Sequence, residues 1–239
     1  MELFIIMENN NKLGQPEGLS KVSHRRILQL AIPIILANLT TPILGAVDTA
    51  VMGHLDSPSY LAAVSIGAII IQFVFWGFGF LRMGTTGLTA QAFGLNDKIE
   101  LQMNFLRPAL FGILMGFILW VLQIPIINFS LYLFEASDTV EMLASKYFAI
   151  RIWSAPAVLI NYCLTGWFIG IQKTKLTLIL HAWMNIINII LDLVFVVVFD
   201  YGIVGVAIAT VIAEVSATII GIIIYRREIR NVKLKIRLL

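Results

Sequence analysis

Apolar residues gather into six runs, at roughly 27–52, 60–81, 108–130, 147–170, 176–199 and 203–225, with polar connectors between them. A hydrocarbon core of about 30 Å needs roughly 20 helical residues per crossing, and each run supplies that length, some with room for tilt. Strands are excluded, because an open sheet in lipid would leave backbone N–H and C=O groups unpaired. The pattern predicts an all-α fold class, a polytopic membrane helix bundle of six transmembrane helices.

The connectors sort by charge. Lys12, Lys21, Arg25 and Arg26 precede the first run; Arg82, Lys98 and Arg107 fall in the second connector; Lys173 and Lys175 fall in the fourth. Arg226, Arg227, Arg230, Lys233, Lys235 and Arg237 follow the last run, whereas the opposite connectors hold only Lys146 and, at a helix entrance, Arg151. An excess of Lys and Arg marks the cytoplasmic side. Both termini are therefore expected in the cytoplasm, as in a multi-pass protein of the plasma (inner) membrane, and an even number of crossings follows. The expected layout is a cytoplasmic tail at 1–22, a six-helix lobe at 23–227 and a basic cytoplasmic tail at 228–239.

Composition agrees: 59% of residues are hydrophobic, 13% are charged and the mean hydropathy is +0.90. The net charge of +3 carries no nucleic-acid signal, since the basic residues lie in the connectors. Cys163 is the single cysteine and lies inside an apolar run, which excludes a disulfide within the chain. MELFIIMENN lacks the basic residue and small-residue cleavage pattern of a signal peptide.

Two local features refine the bundle. The stretch from Gly84 to Arg107 is too polar to cross; GTTGLTAQAFG supplies glycine breaks, and NDKIELQMNFLR has Ile99, Met103 and Leu106 at helical spacing. It is expected to form a short helix on the cytoplasmic surface. Gly112 with Gly116 and Gly166 with Gly170 have the small-xxx-small spacing that lets helices approach in lipid, although chance spacing in Gly-rich helices explains them equally.

Ionisable side chains at bilayer depth cost several kcal/mol and mark candidate sites. Asp48 lies in the outer half of the first run. Asn185, Asn188 and Asp192, in WMNIINIILD, recur at steps of three and four and so share one helix face. Burial and hydrogen bonding pull a carboxyl's proton affinity in opposite directions, so this stripe reads as a proton-coupled site or as a static hydrogen-bond cluster. Thr210 and Glu214 repeat the four-residue step on the sixth run, and Glu214 fits a structural or a functional role equally. His181 and Arg151, nearer the run ends, are explained by snorkelling or interfacial hydration. Pro33 and Pro42 remove backbone donors from the first helix and permit bends. The sequence has no HExxH, phosphate-binding glycine loop, GxSxG or Cys/His metal spacing, so neither an enzyme, a metal nor a cofactor is expected.

The strings VDTAVMGH and LRMGTTGLTAQAFG, followed by RIWSAPA, NIINIILD and GIVGVAIATVIAE, resemble the multidrug and toxic compound extrusion (MATE) family, in its DNA-damage-inducible F (DinF) branch. The resemblance runs from about Ser23 to Arg227. It implies a cation-driven exporter in which Asp48 is a proton-linked residue of the N-terminal lobe. It further implies that Asn188, Asp192 and Thr210 join Asp48 in a hydrogen-bond network, and that Pro33 is a bending point. Family members have twelve spans in two lobes, related as parallel repeats; this sequence carries six.

The expected function is the N-terminal half of a proton-coupled multidrug antiporter for xenobiotic efflux, truncated and inactive alone. A homodimeric half-transporter, a lipid-linked oligosaccharide flippase and a non-transporting membrane scaffold are the alternatives. The expected partners are the lipid bilayer, protons, an organic cation or amphiphilic small molecule, and a second six-helix lobe or second copy. A flippase is disfavoured because its anionic substrate calls for cations inside the cavity, and Lys and Arg are almost confined to the connectors.

Overall fold

The computed structural model describes residues 24–53 and 58–231, and their side chains except those of 26, 40–52 and 231. Its helices are α1 (His24–Met52), α2 (Pro58–Trp76), α3 (Phe80–Gly94), α4 (Lys98–Val121), α5 (Gln123–Phe134), α6 (Asp138–Arg151), α7 (Ala155–Gly170), α8 (Thr174–Asp192) and α9 (Gly202–Asn231). A 3-10 turn, Ile152–Ser154, joins α6 to α7, and π turns, Leu193–Val198, extend α8. Among the described residues every regular element is helical.

Five stretches among the described residues are long and apolar enough to cross a membrane: Pro58–Gly94, Lys98–Val121, Asp138–Gly170, Thr174–Val198 and Gly202–Arg230. The 29-residue α1 lies over the first predicted run. Large apolar side chains such as Phe73, Trp76, Met83, Phe129 and Ile223 face outward, as lipid requires and water would not tolerate in such number.

The stretch from Gly84 to Arg107 does not form a surface helix. Phe80–Gly94 continues the second crossing, and Lys98–Arg107 forms the first turns of the third, which starts ten residues before the predicted Pro108. Asn96, with φ 56, turns the chain, and the Asp97 carboxylate accepts from the Glu100 N–H at 3.0 Å to cap α4. The polar residues are thus the protruding ends of two long helices. Pro108 is tolerated inside α4.

Helix α7 is the hub. In lipid, association depends on backbone approach rather than on apolar burial, and both glycine pairs serve it. A Cβ on Gly166 would stand 2.5 Å from the Arg82 carbonyl, and one on Gly170 would stand 2.6 Å from Thr89 Cβ, so α3 and α7 run in near-contact. Nearer the start of α7, Gly112 meets Leu159, and a Cβ on Gly116 would stand 2.6–2.7 Å from Pro156. Pro156 has no N–H to return to the Ile152 carbonyl four residues back. That oxygen instead accepts from the Ala155 N–H and, at 2.9 Å, from Trp120 Nε1 of α4. Trp167, fully buried, donates Nε1–H to the Leu101 carbonyl at 2.9 Å.

Because Gly116 meets backbone rather than a flexible side-chain tip, Gly116→Val is expected to cost at least about 1–3 kcal/mol through overpacking. Trp120→Phe, which keeps the ring and loses the donor, is expected to cost about 1 kcal/mol. Thermal unfolding in detergent checks both, and Gly116→Val should unfold at the lower temperature.

Candidate functional site

Helices α8 and α9 form an antiparallel hairpin whose register is set by three contacts. Lys173 pairs with Glu228, Trp183 Nε1 donates to Ser216 Oγ at 3.2 Å, and Asn188 Nδ2 donates to Thr210 Oγ1 at 3.1 Å. The Thr210 hydroxyl donates in turn to the Val206 carbonyl at 2.9 Å. Asn185, Asn188 and Asp192 share a buried face of α8, with Asp192 at 0% exposure. The stripe read from the sequence is therefore an interior stripe. Directly after Asp192 the helix widens into π turns, in which the Phe199 N–H reaches the Val194 carbonyl at 3.0 Å. Helix α1 packs along α8 and these turns.

A cavity of about 430 Å³ opens between α2, the α6–α7 junction, α8 and α9. Its polar lining includes Asn188, Thr210, Gln72, Asn161, Thr165, His181 and the Arg151–Glu214 pair.

Arg151 departs from expectation. It is only 7% exposed and binds Glu214 with both guanidinium nitrogens, Nη1 to Oε2 at 2.6 Å and Nη2 to Oε1 at 3.0 Å. Nη1 also donates to Ser154 Oγ at 3.3 Å. Snorkelling does not describe this geometry. The fourth crossing starts at Asp138 rather than near residue 147, so Arg151 lies well inside it. His181 likewise lies on the cavity wall, half-buried. The Glu214 carbonyl accepts from Asn161 Nδ2 at 3.1 Å, which ties α7 and α9 together at the same level. Asn161 carries no local signal in the sequence, and Arg151 reads there as interfacial, because their partners lie 53 and 63 residues away. Arg151 Nε and Asn161 Oδ1 are buried with no hydrogen-bond partner among the described residues.

Among the other expected site residues, Pro33 is buried within the unbroken α1. The side chains of Asp48 and Pro42 lie outside the described residues; both positions fall on the helical backbone of α1. The structure thus brings Asn188 and Thr210 into contact and places Asn185 and Asp192 on the same buried face.

The family model described as MatE matches residues 33–194. The chain belongs to the MatE family. It is 41% identical over 208 residues to the DNA damage-inducible protein F of Escherichia coli (strain K12), an alignment covering 87% of this chain and 45% of the relative. It is 30% identical over 220 residues to the probable multidrug resistance protein NorM of Pasteurella multocida (strain Pm70), covering 88% of this chain and 46% of that one. Its fold superposes, with a TM-score of 0.77 at 20% identity, on the outward-facing conformation of a multidrug resistance MATE family transporter, over 89% of this chain and 47% of that one. This MatE chain therefore spans about half the length of the relatives it matches, and it is a multi-pass membrane protein of a transporter family.

Breaking the buried ion pair from one side leaves an uncompensated charge. Arg151→Met is expected to cost about 3–5 kcal/mol, whereas the double variant Arg151→Met/Glu214→Leu should recover most of it. Unfolding of the single and double variants in one detergent measures the difference.

Proposed function

We propose that this chain is the N-terminal lobe of a proton-coupled antiporter that exports organic compounds. The observation that carries this reading is the fully buried Asp192, four residues along α8 from the Asn188–Thr210 hydrogen bond and at the start of a π segment. A carboxyl held in that setting changes its charge only together with its surroundings, because an ionised group at low dielectric needs compensating dipoles. Protonation of Asp192, with Asp48 of α1 as its companion, would thereby alter the packing of α1 against α8. A bend at Pro33 would be the accompanying movement.

The cavity's largely apolar lining, with its one ion pair neutralised internally, fits a neutral amphiphile or an organic cation. Glu214 is paired with Arg151, so negative charge to meet a cation would come from the other acids of the proposed site, Asp192 and Asp48. The same pairing weighs against a flippase for an anionic headgroup, since the guanidinium inside the cavity is already neutralised. Half-length coverage of the relatives accords with a second lobe, or a second copy, completing the transport path.

Purified chain in liposomes under an imposed pH gradient, with ethidium as probe, tests the assignment. Gradient-driven ethidium movement, or proton release when ethidium binds, is expected from the wild type. Asp192→Asn and Asp48→Asn should each lower that signal at least about ten-fold, the loss of one essential proton-transfer group. Absence of both signals in the wild type, or their survival in folded Asp192→Asn, would refute the reading.

A further inference from the structure

Helix α9 finishes at one end of the bundle. Three contacts bring the helix ends together there: Lys173 with Glu228, Phe105 with Tyr225 at a ring-centroid distance of 4.1 Å, and Trp167 Nε1 with the Leu101 carbonyl at 2.9 Å. They gather the starts of α4 and α8 and the ends of α7 and α9 at one face. Lys98, Arg107, Lys173, Lys175, Arg226, Arg227 and Arg230 lie there.

The described acids at this face are all engaged. Asp97 caps α4, Glu100 accepts from Arg107 at 3.3 Å, and Glu228 pairs with Lys173. The rotation of α9 is fixed by Tyr225 and Ile229, both buried one turn apart. Glu228 is thereby turned toward Lys173, while Arg226 and Arg230, each two residues and about 200° away on the helix, point to the opposite side. Arg227 lies three residues before Arg230 and continues the same exposed surface. No carboxylate of α9 between Gly202 and Arg230 can neutralise these three, since Glu214 is bound to Arg151 and Glu228 to Lys173.

Depth decides what they meet. The apolar run GIIIY ends at Tyr225, whose ring is packed against Phe105 and Trp167, and RREIR follows at once. Arg226 and Arg227 are therefore the first residues beyond the hydrocarbon, at the level of lipid phosphates. Arginine suits that level, because its planar fork binds phosphate oxygens in pairs and it is more weakly hydrated than lysine. Clustered cations directly beside a spanning helix attract anionic headgroups.

We propose that Arg226, Arg227 and Arg230 form a binding site for the phosphate headgroup of an anionic phospholipid, which anchors the foot of α9. The hairpin register passes from this foot through Lys173–Glu228 and Trp183–Ser216 to Asn188–Thr210, so the bound lipid fixes the helix that carries Thr210. This site is independent of the proton-linked assignment.

Native mass spectrometry of the purified chain, released from bilayers of equal parts phosphatidylglycerol and phosphatidylcholine, tests it. The wild type should retain phosphatidylglycerol preferentially, and that preference should shrink as salt rises from roughly 50 to 500 mM, where screening shortens to a few ångströms. The triple variant Arg226→Gln, Arg227→Gln, Arg230→Gln should lose the preference by about ten-fold or more. Arg226→Lys, Arg227→Lys, Arg230→Lys, which keeps the charge should the neutral variant fail to fold, should retain a preference smaller than the wild type's and larger than the neutral variant's, because the paired phosphate bonds are lost. Lys146→Gln, at the far end of the bundle, should leave it unchanged. Equal retention of the two lipids by the wild type, an undiminished preference in the folded neutral variant, or insensitivity to salt would overturn the site. Displacement of phosphatidylglycerol by millimolar inorganic phosphate would assign the arginines to a free anion instead and overturn the lipid reading.

Discussion

A polar group inside a hydrocarbon layer must be answered by the protein, and that constraint organises this lobe more than apolar burial does. Lipid tails solvate Leu and Phe as well as a protein core would, so the apolar residues decide where the helices run but hardly which helices touch. The contacts are chosen by groups that lipid cannot serve. The Ile152 carbonyl, deprived of a helical donor by Pro156, is answered by Trp120 of α4; the Asn161 amide answers the Glu214 carbonyl; the Thr218 hydroxyl answers that of Ala157; and Asn104 Nδ2 answers that of Leu88. Each is a side chain of one helix donating to the backbone of another, and together they fix rotation as well as proximity.

Glycine makes those donors reach. Trp120 can meet the Ile152 oxygen because Gly116 and Gly112, one and two turns earlier on the same face, let α4 lie against Pro156 and Leu159. Further along α7, Gly166 and Gly170 bring it against α3, where Thr85 and Thr89 are buried. Helix α7 has α3, α4 and α9 packed along it, which explains why Cys163, Leu164, Trp167 and Phe168 are fully buried while most other helices keep a lipid-facing side. The packing energy is dispersion at close range, and it is lost steeply when a methyl group holds the helices apart.

Helical class, approximate spans and the Asn185–Asn188–Asp192 face were legible in the sequence, because length and periodicity are local properties. The failures were of two kinds. Residues 84–107 looked like a surface helix because polarity was read as a stop signal, whereas polar turns also occur where a long helix projects past the bilayer. Arg151 looked interfacial for the same reason, its helix start being placed too late. Its partner Glu214 could not be identified from spacing at all, since the pair spans 63 positions. The glycine spacings were legible but ambiguous: only the 2.5 Å and 2.6 Å approaches distinguish a helix contact from chance.

The buried charges divide into two kinds with different consequences. Glu214 receives two hydrogen bonds from one guanidinium and a third contact steadies that guanidinium through Ser154, so a proton arriving at Glu214 would leave Arg151 buried with its charge unanswered. Such a pair resists cycling and is suited to holding the α6–α7 junction against α9. Asp192 is placed otherwise: it ends the α-helical hydrogen-bond pattern of α8, and the backbone beyond it is already in the wider π geometry. Under the proposed proton coupling, a change of charge at Asp192 would act where the described part of α8 passes from α to π geometry, with the fixed pair holding the α6–α7 junction beside it.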